Sequence, residues 1–517
     1  MPSEQRLHPA TLLFDLASHA KRFAVPALVV IFGLSQSTGG PPSRFGRVPD
    51  GWEAWLLVLF VPATLASIAR YLSFRVRYDE HELVIRSGLI FRNERHVPFS
   101  RIQNVDAVEN MFHRLLGVVE VRLETGSGKE EEARLSVLPR AALEELRRHV
   151  FQDRSLRTQP DPVEAQAVEA PRGETLVHLD LRELLLHGFL ENKGMVLIAA
   201  GFGALWETGL VNRITDLVFE TRMVSRGFFR DLVRPFFDGG PLPVMRIAIA
   251  VAAFAVFLVV VRLISMLWAL VRLYDFRLTL AGEDLRTEYG LFTRVTATVP
   301  LRRVQAITIN AGPLQRWLER ASVRVATAGG TGAGQRSAAN VREWLAPLIR
   351  QRALPNLLHH VVPGFDLNAV AWQPVHPRAF ARALKPSLLF CAAVTVAAAL
   401  AIGWGAIGVL VLTLIWSIVS TRQFVAHLRW ADDDDVVAMK SGWLWQQITL
   451  ARVNKIQAVA MHESPFDRRA AMARVRVDTA GAGQFSHRVD IPYLDHAIAR
   501  NLADRLSANA ANTAFRW

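Results

Sequence analysis

Six apolar stretches along the chain fall into three pairs, and a segment with β-like alternation follows each pair. A helix needs roughly twenty apolar residues to cross the hydrocarbon core, where only helices and closed barrels satisfy their backbone groups. Because the stretches lack the alternation of barrel strands, we predict six transmembrane helices in three hairpins, at about 23–35, 52–72, 194–211, 244–271, 386–403 and 404–420. The first helix is short and the third ends near Glu207, so these two are the weakest spans.

The three segments that follow the hairpins repeat one another around a fixed framework. When Gly88, Gly290 and Gly442 are aligned, a glutamine follows fifteen positions later in every copy, with a basic residue two positions before it. An arginine comes eleven positions after the glutamine, and a Val-Arg-Leu/Val-x-Thr run follows the arginine. Spacing that is kept in three copies indicates a repeated structural unit.

Each repeat has the pattern of a small β domain. Period-two alternation in the Val-Arg-Leu/Val-x-Thr run places its apolar residues on one face and its arginine on the other. Glycine-rich turns follow, and in the first and third copies a last strand leads to Pro139 or Pro492 and then to a helix. We therefore predict an α+β membrane protein in which each hairpin precedes an antiparallel barrel or sandwich of about seven strands, capped by a C-terminal helix.

The predicted organisation follows the alternation of hairpins and repeats. It consists of an N-terminal interfacial helix with hairpin 1 (1–73), β domain 1 (74–151), a flexible linker (152–175), an interfacial segment with hairpin 2 (176–273), β domain 2 (274–363), an interfacial segment with hairpin 3 (364–426) and β domain 3 (427–510). The linker is rich in Gln, Pro and Glu, a composition that does not support a packed core.

The net charge of +13 has two explanations, nucleic acid binding and retention at a membrane. Most basic residues lie beside the apolar stretches, where the positive-inside rule explains them. An even number of crossings precedes each repeat, so we expect the N-terminus and all three domains on the cytoplasmic side of the membrane. The loop 212–243 is the exception, because it carries five arginines and only four acidic residues. One cysteine, Cys391, excludes a disulfide within the chain.

The repeat resembles a known family. Gly88, Arg101-Ile102-Gln103, Arg114 and Val121-Arg122-Leu123 are similar to the motifs of the bacterial pleckstrin-homology-like, membrane-flanked domain family, in particular its three-domain YdbT-like members. The resemblance implies the pleckstrin-homology (PH) fold for each domain and a link to envelope stress or antimicrobial-peptide resistance, and it implies no catalytic residues. The later copies depart from the first at two positions: Asn104 becomes Ala306 and Ala458, and Gly117 becomes Glu319 and Ala471.

The recurring basic and amide residues are the candidate ligand- or partner-binding positions. They are Arg101, Gln103, Arg114, Arg303, Gln305, Arg316, Lys455, Gln457 and Arg468. Arginine recognises phosphate or carboxylate with two parallel hydrogen bonds, so these residues could form an anion-binding or protein-docking surface in each domain. The alternative is structural, with the basic residues holding a loop or meeting lipid headgroups and the glutamines tying strands together.

No acid, base, nucleophile or metal set occurs at workable spacing, so we expect no enzymatic activity, no metal and no cofactor. The expected function is a membrane scaffold whose cytoplasmic domains mediate oligomerisation or partner binding. Expected partners are membrane lipids with anionic headgroups, further copies of the chain, or a one-domain family member, and not nucleic acid. The alternative is a lipid- or peptide-handling transporter, for which Glu207 and Arg262 are the polar residues within the spans.

Overall fold

Three β domains with the same plan recur along the chain in the computed structural model. The structure describes residues 5–14 and 64–146 with gaps in each, 173–207 without 192, 244–327, 344–479 and 489–512. The predicted helix at 23–35 and the larger part of the predicted helix at 52–72 lie outside the described residues, as does 152–172 of the predicted linker.

The strands of the three domains follow the same order. Domain 1 contains β1 (Gln5–Arg6), β2 (Arg75–Tyr78), β3 (Glu82–Ser87), β4 (Asn93–Pro98), β5 (Ile102–Glu109), β6 (Val118–Thr125) and β7 (Ala133–Pro139). Domain 2 contains β8 (Glu174–His178), β9 (Arg277–Ala281), β10 (Asp284–Tyr289), β11 (Arg294–Pro300), β12 (Val304–Ala311), β13 (Arg320–Thr327) and β14 (Trp344–Arg350). Domain 3 contains β15 (Gln373–Pro374), β16 (Arg429–Asp432), β17 (Val436–Ser441), β18 (Gln446–Arg452), β19 (Ile456–His462), β20 (Met472–Thr479) and β21 (Val489–Asp495).

The helices belong either to the domains or to the apolar stretches between them. They are α1 (Met111–Leu115), α2 (Leu181–Leu190), α3 (Lys193–Glu207), α4 (Val244–Leu273), α5 (Pro313–Trp317), α6 (Leu354–Val361), α7 (Ala379–Ile402), α8 (Ala406–Ala426), α9 (Pro465–Arg469) and α10 (His496–Asn512). Residues 140–146 are also helical. The short helices α1, α5 and α9 occupy the same place in the three domains, between the fifth and sixth strands.

Each domain has a half-sheet of four strands and a half-sheet of three. The first strand of each four-stranded half-sheet precedes the predicted hairpin in the chain, as the pairings β1–β2, β8–β9 and β15–β16 show. The domains are therefore not contiguous in sequence, contrary to the predicted boundaries, because each one takes a strand from the segment before its hairpin. Because β8 begins at Glu174, residues 174 and 175 belong to a strand and not to the linker that was predicted to reach residue 175.

The strand pattern read from the repeat agrees with the burial of its side chains. In domain 2 the run at 323–325 places Val323 and Val325 in the core, while Arg324 between them is half-buried on the other face. Val475 and Val477 are buried in the same way in domain 3. These valines pack with residues of the last strand and the closing helix, such as Leu494 and Leu502 in domain 3. Period-two alternation thus predicts the core face of this strand in each domain.

The shared glycine ends the third strand of each domain in a conformation that other residues rarely adopt. Its φ angle is 95° at Gly88, 116° at Gly290 and 86° at Gly442. A Cβ atom on Gly290 would lie 2.0 Å from the carbonyl oxygen of Thr293, and one on Gly442 would lie 1.9 Å from that of Trp445. The backbone closes the turn at a distance that leaves no room for a side chain, which explains why glycine recurs there.

A second turn keeps its shape although its residue changes. Gly117, Glu319 and Ala471 lie at equivalent places after the short helix, with φ angles of 66°, 53° and 53°. The left-handed conformation costs a non-glycine residue roughly 1–2 kcal/mol, and the surrounding strands impose it nonetheless. The departure of copies two and three at this position therefore leaves the backbone path unchanged.

Two apolar helical stretches are long enough to cross a membrane among the described residues, Ile247–Leu273 and Ala379–Ala426. The second folds back at residues 403–405 into the antiparallel helices α7 and α8. Helix α3 has 15 residues and is shorter than a typical span. These helices support a membrane protein, but they do not confirm the predicted six crossings in three hairpins. Most side chains of the two stretches are exposed, and an apolar surface of this extent favours a lipid environment over water.

Helix α2 joins the long helix α4 to domain 2. The carboxylate of Glu183 accepts hydrogen bonds from Arg320 at 2.8 and 3.0 Å, and these bonds hold the pKa of Glu183 below its usual value. At the other end of α2, Nη1 of Arg262 donates to the carbonyl oxygens of Phe189 and Glu191 at 3.0 and 3.3 Å. Arg262 therefore satisfies carbonyl groups at a helix end that would otherwise need other partners.

Replacement of Gly290 by Ala should lower the free energy of unfolding by about 3 kcal/mol, because the new Cβ meets a backbone carbonyl in a conformation nearly restricted to glycine. Gly282→Ala is the matched control, since Gly282 also has a positive φ but nothing within 4 Å of the added Cβ, and it should cost about 1 kcal/mol. Chemical unfolding in detergent measures both. Equal losses would contradict the steric explanation.

Glu183→Gln should destabilise the docking of α2 at neutral pH. Because the folded-state pKa of Glu183 lies below its usual value of 4.5, the carboxylate contributes stability above that pH and loses it as the pH falls through the folded-state pKa. The difference in melting temperature between wild type and variant should therefore shrink in acid. A pH series of melting temperatures measures this, and Glu283→Gln serves as an exposed control. A difference that is independent of pH would argue against the ion pair.

Candidate interaction site at the domain junctions

Consecutive domains are joined by pairing between edge strands. At the first junction β5 of domain 1 lies antiparallel to β11 of domain 2, with Glu109 opposite Arg294 and Ala107 opposite Thr296. The three-stranded half-sheet of domain 1 thereby continues into the four-stranded half-sheet of domain 2, and the two form one seven-stranded sheet. Neither half-sheet leaves a free edge at this junction.

The second junction repeats the first in the same register. Strand β12 of domain 2 pairs with β18 of domain 3 over six residues, from Ala306 opposite Ala451 to Ala311 opposite Gln446. In both junctions the fourth residue after the repeated glutamine faces the sixth residue after the repeated glycine, as the pairs Ala107–Thr296 and Ile309–Ile448 show. One geometric rule therefore relates domain 1 to domain 2 and domain 2 to domain 3.

The second junction also buries apolar side chains of both domains in one core. Ala431, Ala438 and Leu450 of domain 3 belong to the same cluster as Leu357 and Val361 on helix α6 of domain 2. Their chain neighbours on the opposite face of the half-sheet, such as Val437, pack in the core of domain 3 itself. Both faces of this half-sheet are thus covered, which fixes its register strongly because a one-residue slip would exchange them.

The repeated arginine reaches across each junction. Nη1 of Arg114, on α1, donates to the carbonyl oxygen of Leu291 at 3.2 Å, and Nη1 of Arg316, on α5, donates to that of Trp443 at 2.6 Å. Each acceptor is the residue directly after the shared glycine of the next domain. A charged donor makes such a bond about twice as strong as a neutral one. The two recurring positions are therefore the two sides of an interdomain contact, since the arginine of one domain meets the glycine turn of the next.

The glutamines lie at the start of the junction strand in different surroundings. Gln305 is buried, and its Nε2 donates to the carbonyl oxygen of Arg303 at 3.4 Å, while its Oε1 has no hydrogen-bond partner among the described residues. Gln457 is exposed, and the outer edge of β19 pairs with no strand among the described residues. Gln103 lies on β5, and its side chain is outside the described part of the chain.

The basic residues before the glutamines do not gather into one anion site. Arg303 is half-buried on a 3₁₀ turn, and Lys455 occupies the same turn in domain 3. Burial lowers the pKa of Lys455, and the positive charges of Arg452 and Arg302 lower it further. Arg101 lies outside the described residues. Each of these residues belongs to its own domain, so the three copies offer separate surfaces rather than a shared pocket.

Among the described residues, the junction elements of domain 3 are not covered by a neighbouring domain. Strand β19 is an edge of the three-stranded sheet β19–β20–β21. Arg468, the counterpart of Arg114 and Arg316, is exposed, and its side chain makes no hydrogen bond or ion pair with the described residues. Of the predicted site residues, Arg114 and Arg316 thus contact the next domain, Arg468 makes no such contact, and the other described ones lie near the starts of junction strands.

A cavity of about 440 Å³ opens where the second junction meets α2 and α4. Its lining includes His187, Arg262, Trp344 and Trp445. Burial lowers the pKa of His187, so its imidazole is neutral at pH 7, and its Nδ1 has no hydrogen-bond partner in the described part of the chain. Apart from Arg262, the sequence pattern does not indicate these residues, because none of them recurs between the copies.

Metal binding has no support in the residues that the structure describes. They contain no group of three or more His, Cys, Asp or Glu side chains that could hold an ion. The run Asp432–Asp435 forms the turn between β16 and β17, where Asp432 pairs with Arg505. These acids therefore form a hairpin turn with a structural ion pair.

Comparison with known proteins agrees with this architecture. The chain is 22% identical over 488 residues to the UPF0699 transmembrane protein YdbT of Bacillus subtilis (strain 168), and the match covers 91% of this chain and 92% of that protein. The family model described as the bacterial PH domain matches three segments, residues 22–154, 240–349 and 379–510. Each segment carries one set of the glycine, glutamine and arginine positions described above. With a match over well more than half of its length, the chain belongs to the bacterial PH domain family.

Proposed function

We propose that this protein is a non-enzymatic membrane scaffold whose PH domains form a continuous row and mediate oligomerisation or partner binding. One observation carries the proposal, namely that a single junction geometry occurs twice within one chain. Two of the polar residues that recur between the copies, Arg114 and Arg316, contact the next domain. A surface that holds one PH domain against another within this chain is also suited to binding other proteins.

In this proposal, the row of PH domains lies against the cytoplasmic face of a bacterial inner membrane, and the chain crosses that membrane six times with its N-terminus in the cytoplasm. Support comes from the base of α7, where Nε of Arg382 lies 2.7 Å from a carboxylate oxygen of Asp467 on α9. Lys385 lies over the ring of Phe466, 5.8 Å from its centre. Domain 3 is thereby held directly at the end of its hairpin. Arginines beside the apolar stretches favour the cytoplasmic side for the domains.

Tethering gives such a scaffold its binding strength. Three linked modules present a high local concentration of similar surfaces, so weak single contacts add up. The partners that fit are anionic lipid headgroups beside the row, further copies of the chain, and a one-domain member of the family. The role that fits is defence of the envelope under stress or against antimicrobial peptides, as the family resemblance implies.

Lipid or peptide handling is the second candidate function, and the cavity beside the second junction favours it. The cavity lies next to α4, and Arg262 contributes a positive charge to its wall. Arg324 stacks over Trp344 with its guanidinium carbon 4.2 Å from the ring centre, close to the same space. A cationic and aromatic wall near the membrane surface suits a lipid headgroup.

Arg316→Met should loosen the second junction, because it removes the charged donor to the carbonyl of Trp443 while keeping the bulk of the side chain. The loss of about 1.5–3 kcal/mol corresponds to at least a tenfold faster hydrogen exchange of the amides in β12 and β18. Arg277→Met, at an exposed position on β9 outside that junction, is the matched control and should leave that exchange unchanged. If hydrogen exchange in β12 and β18 is unchanged in both variants, Arg316 does not stabilise the junction.

Survival of a strain that lacks the protein, under challenge with a membrane-active peptide, distinguishes the two candidate functions. A scaffold should lose both protection and native assembly size when Arg114 and Arg316 are changed to Met together. A transporter should lose protection instead through Glu207→Ala or Arg262→Ala, with its assembly intact. If protection is kept when Arg114 and Arg316 are changed but lost when Glu207 or Arg262 is changed, the scaffold function is overturned in favour of transport.

A further inference from the structure

The two ends of the row carry complementary halves of the sheet that forms each junction. Inside the chain, three strands of one domain and four strands of the next make a seven-stranded sheet, and this happens twice. At the ends remain the four-stranded sheet β1–β4 of domain 1 and the three-stranded sheet β19–β21 of domain 3. One outer strand of each sheet, β4 or β19, is the counterpart of the strands that pair at the internal junctions, and its outer edge pairs with no other strand among the described residues.

Side-chain burial follows this difference between paired and unpaired edges. Residues 304–309 of β12 are all buried, whereas only Ile456 of the corresponding strand β19 is buried. On the opposite edge, residues 93–96 of β4 are exposed. The counterparts of Arg95 at the internal junctions, Ala297 and Thr449, are both buried. The terminal edges are thus the same elements without the cover that a neighbouring domain supplies.

The internal register can be applied to the two free edges. It places Ala458 opposite Val97, Met461 opposite Glu94, and Glu463 opposite Arg92. The last pair brings opposite charges together at the position where Glu109 lies opposite Arg294 in the first junction. Opposite charges directly across a strand pair stabilise it, and like charges there destabilise it. The free edges therefore match in register and in charge.

The third repeated arginine completes the comparison. Arg114 and Arg316 each donate to a backbone carbonyl of the domain that follows. Arg468 has the same place on α9, is exposed, and makes no such contact with the described residues. Its side chain is therefore available to the glycine turn of a further PH domain.

We propose that β19 of one copy pairs with β4 of a second copy, head to tail, and completes a seven-stranded sheet across two molecules. The proposal rests on the scaffold function and names its partner as a second copy of this chain. Each new copy would join by the relation that already links domains 1, 2 and 3, so all hairpins keep the same orientation to the membrane. Such a heterologous contact forms a ring if the rotation closes and an open row if it does not.

The charges on β4 are consistent with a selective contact. Glu94, Arg95 and His96 are exposed on this edge, and charged residues on an edge strand discourage pairing with unrelated strands. Strand β19 offers uncharged side chains at the matching positions, Met461, Ala460 and Val459, and so brings no like charge against them. Only a strand with this pattern and with an acid beyond its end fits the register.

Cysteine cross-linking between two differently tagged copies tests the pairing. In a Cys391→Ala background, one copy carries Glu94→Cys and the other carries Met461→Cys, and both are expressed in the same cells. Oxidation of isolated membranes should give a dimer that contains both tags. Each single variant alone should give none. Ala460→Cys with Glu94→Cys is the matched control, because its side chain lies on the opposite face of the strand and should not cross-link.

An internal pair shows whether the method works at this register. Glu109→Cys with Arg294→Cys in one chain should form a bond within the molecule, because these residues face one another at the first junction. A two-tag dimer that appears with Met461→Cys and not with Ala460→Cys supports the proposal. If the internal pair cross-links and the two-tag dimer does not exceed the opposite-face control, the proposal is overturned.

Native mass spectrometry of the full-length protein in lipid nanodiscs separates the two proposals. Several copies in one particle without the in-register cross-link would overturn this pairing and leave the scaffold function standing. Single copies without the cross-link, and without any captured one-domain relative, would count against both.

Charge reversal gives an independent readout of the same contact. Arg92→Glu and Glu463→Arg should each weaken association of the copies about threefold to tenfold at low salt, and the two together should restore it. Arg468→Ala should also weaken association, whereas Arg469→Ala, at the exposed neighbouring position, should not. Failure of the double reversal to restore association, or equal effects at Arg468 and Arg469, would contradict the proposed register.

Discussion

Antiparallel pairing between the edge strands of successive domains is the interaction on which the rest of this structure depends. An edge strand carries unpaired backbone donors and acceptors, and a small domain with two such edges invites uncontrolled association. Here β5 is met by β11 and β12 by β18, over six residues at the second junction, and an arginine from the preceding domain contacts the adjoining turn. The same geometry that removes the edges also orders the domains in a row.

The position of the apolar helices within domains 2 and 3 constrains the row further. Strands β8 and β15 lie before the segments that contain α4 and α7–α8, and they pair with β9 and β16 after them. A segment that leaves and re-enters one sheet cannot turn independently of that sheet. Helix α2 adds a second contact through Glu183 and Arg320, and α9 adds another through Asp467 and Arg382. Domains 2 and 3 are therefore each joined to their helical segment by backbone pairing and by an ion pair.

Several features of the site were predictable from the repeat because they depend on local chemistry. Gly290 recurs because no side chain fits beside the carbonyl of Thr293, and Val323 and Val325 alternate with Arg324 because one face of their strand is buried. The importance of Arg114 and Arg316 was predictable, but their partner was not, since the acceptor is a backbone carbonyl that leaves no trace in residue type. The short strands before the hairpins were also missed, because two residues such as Gln373–Pro374 carry no period.

The sequence by itself determined the three repeats, the residues that recur in them, the core face of their strands, and the apolar stretches between them. These are set by short-range periodicity and by the conformational limits of single residues. Only the tertiary structure decided that neighbouring domains share their sheets and that each domain is completed by a strand from before its hairpin. Which edges meet depends on backbone hydrogen bonds between segments far apart in the chain, and such bonds are almost indifferent to side-chain identity. Side chains determine which face of a strand is buried, whereas the pairing of edges is determined by where backbone donors and acceptors lack partners.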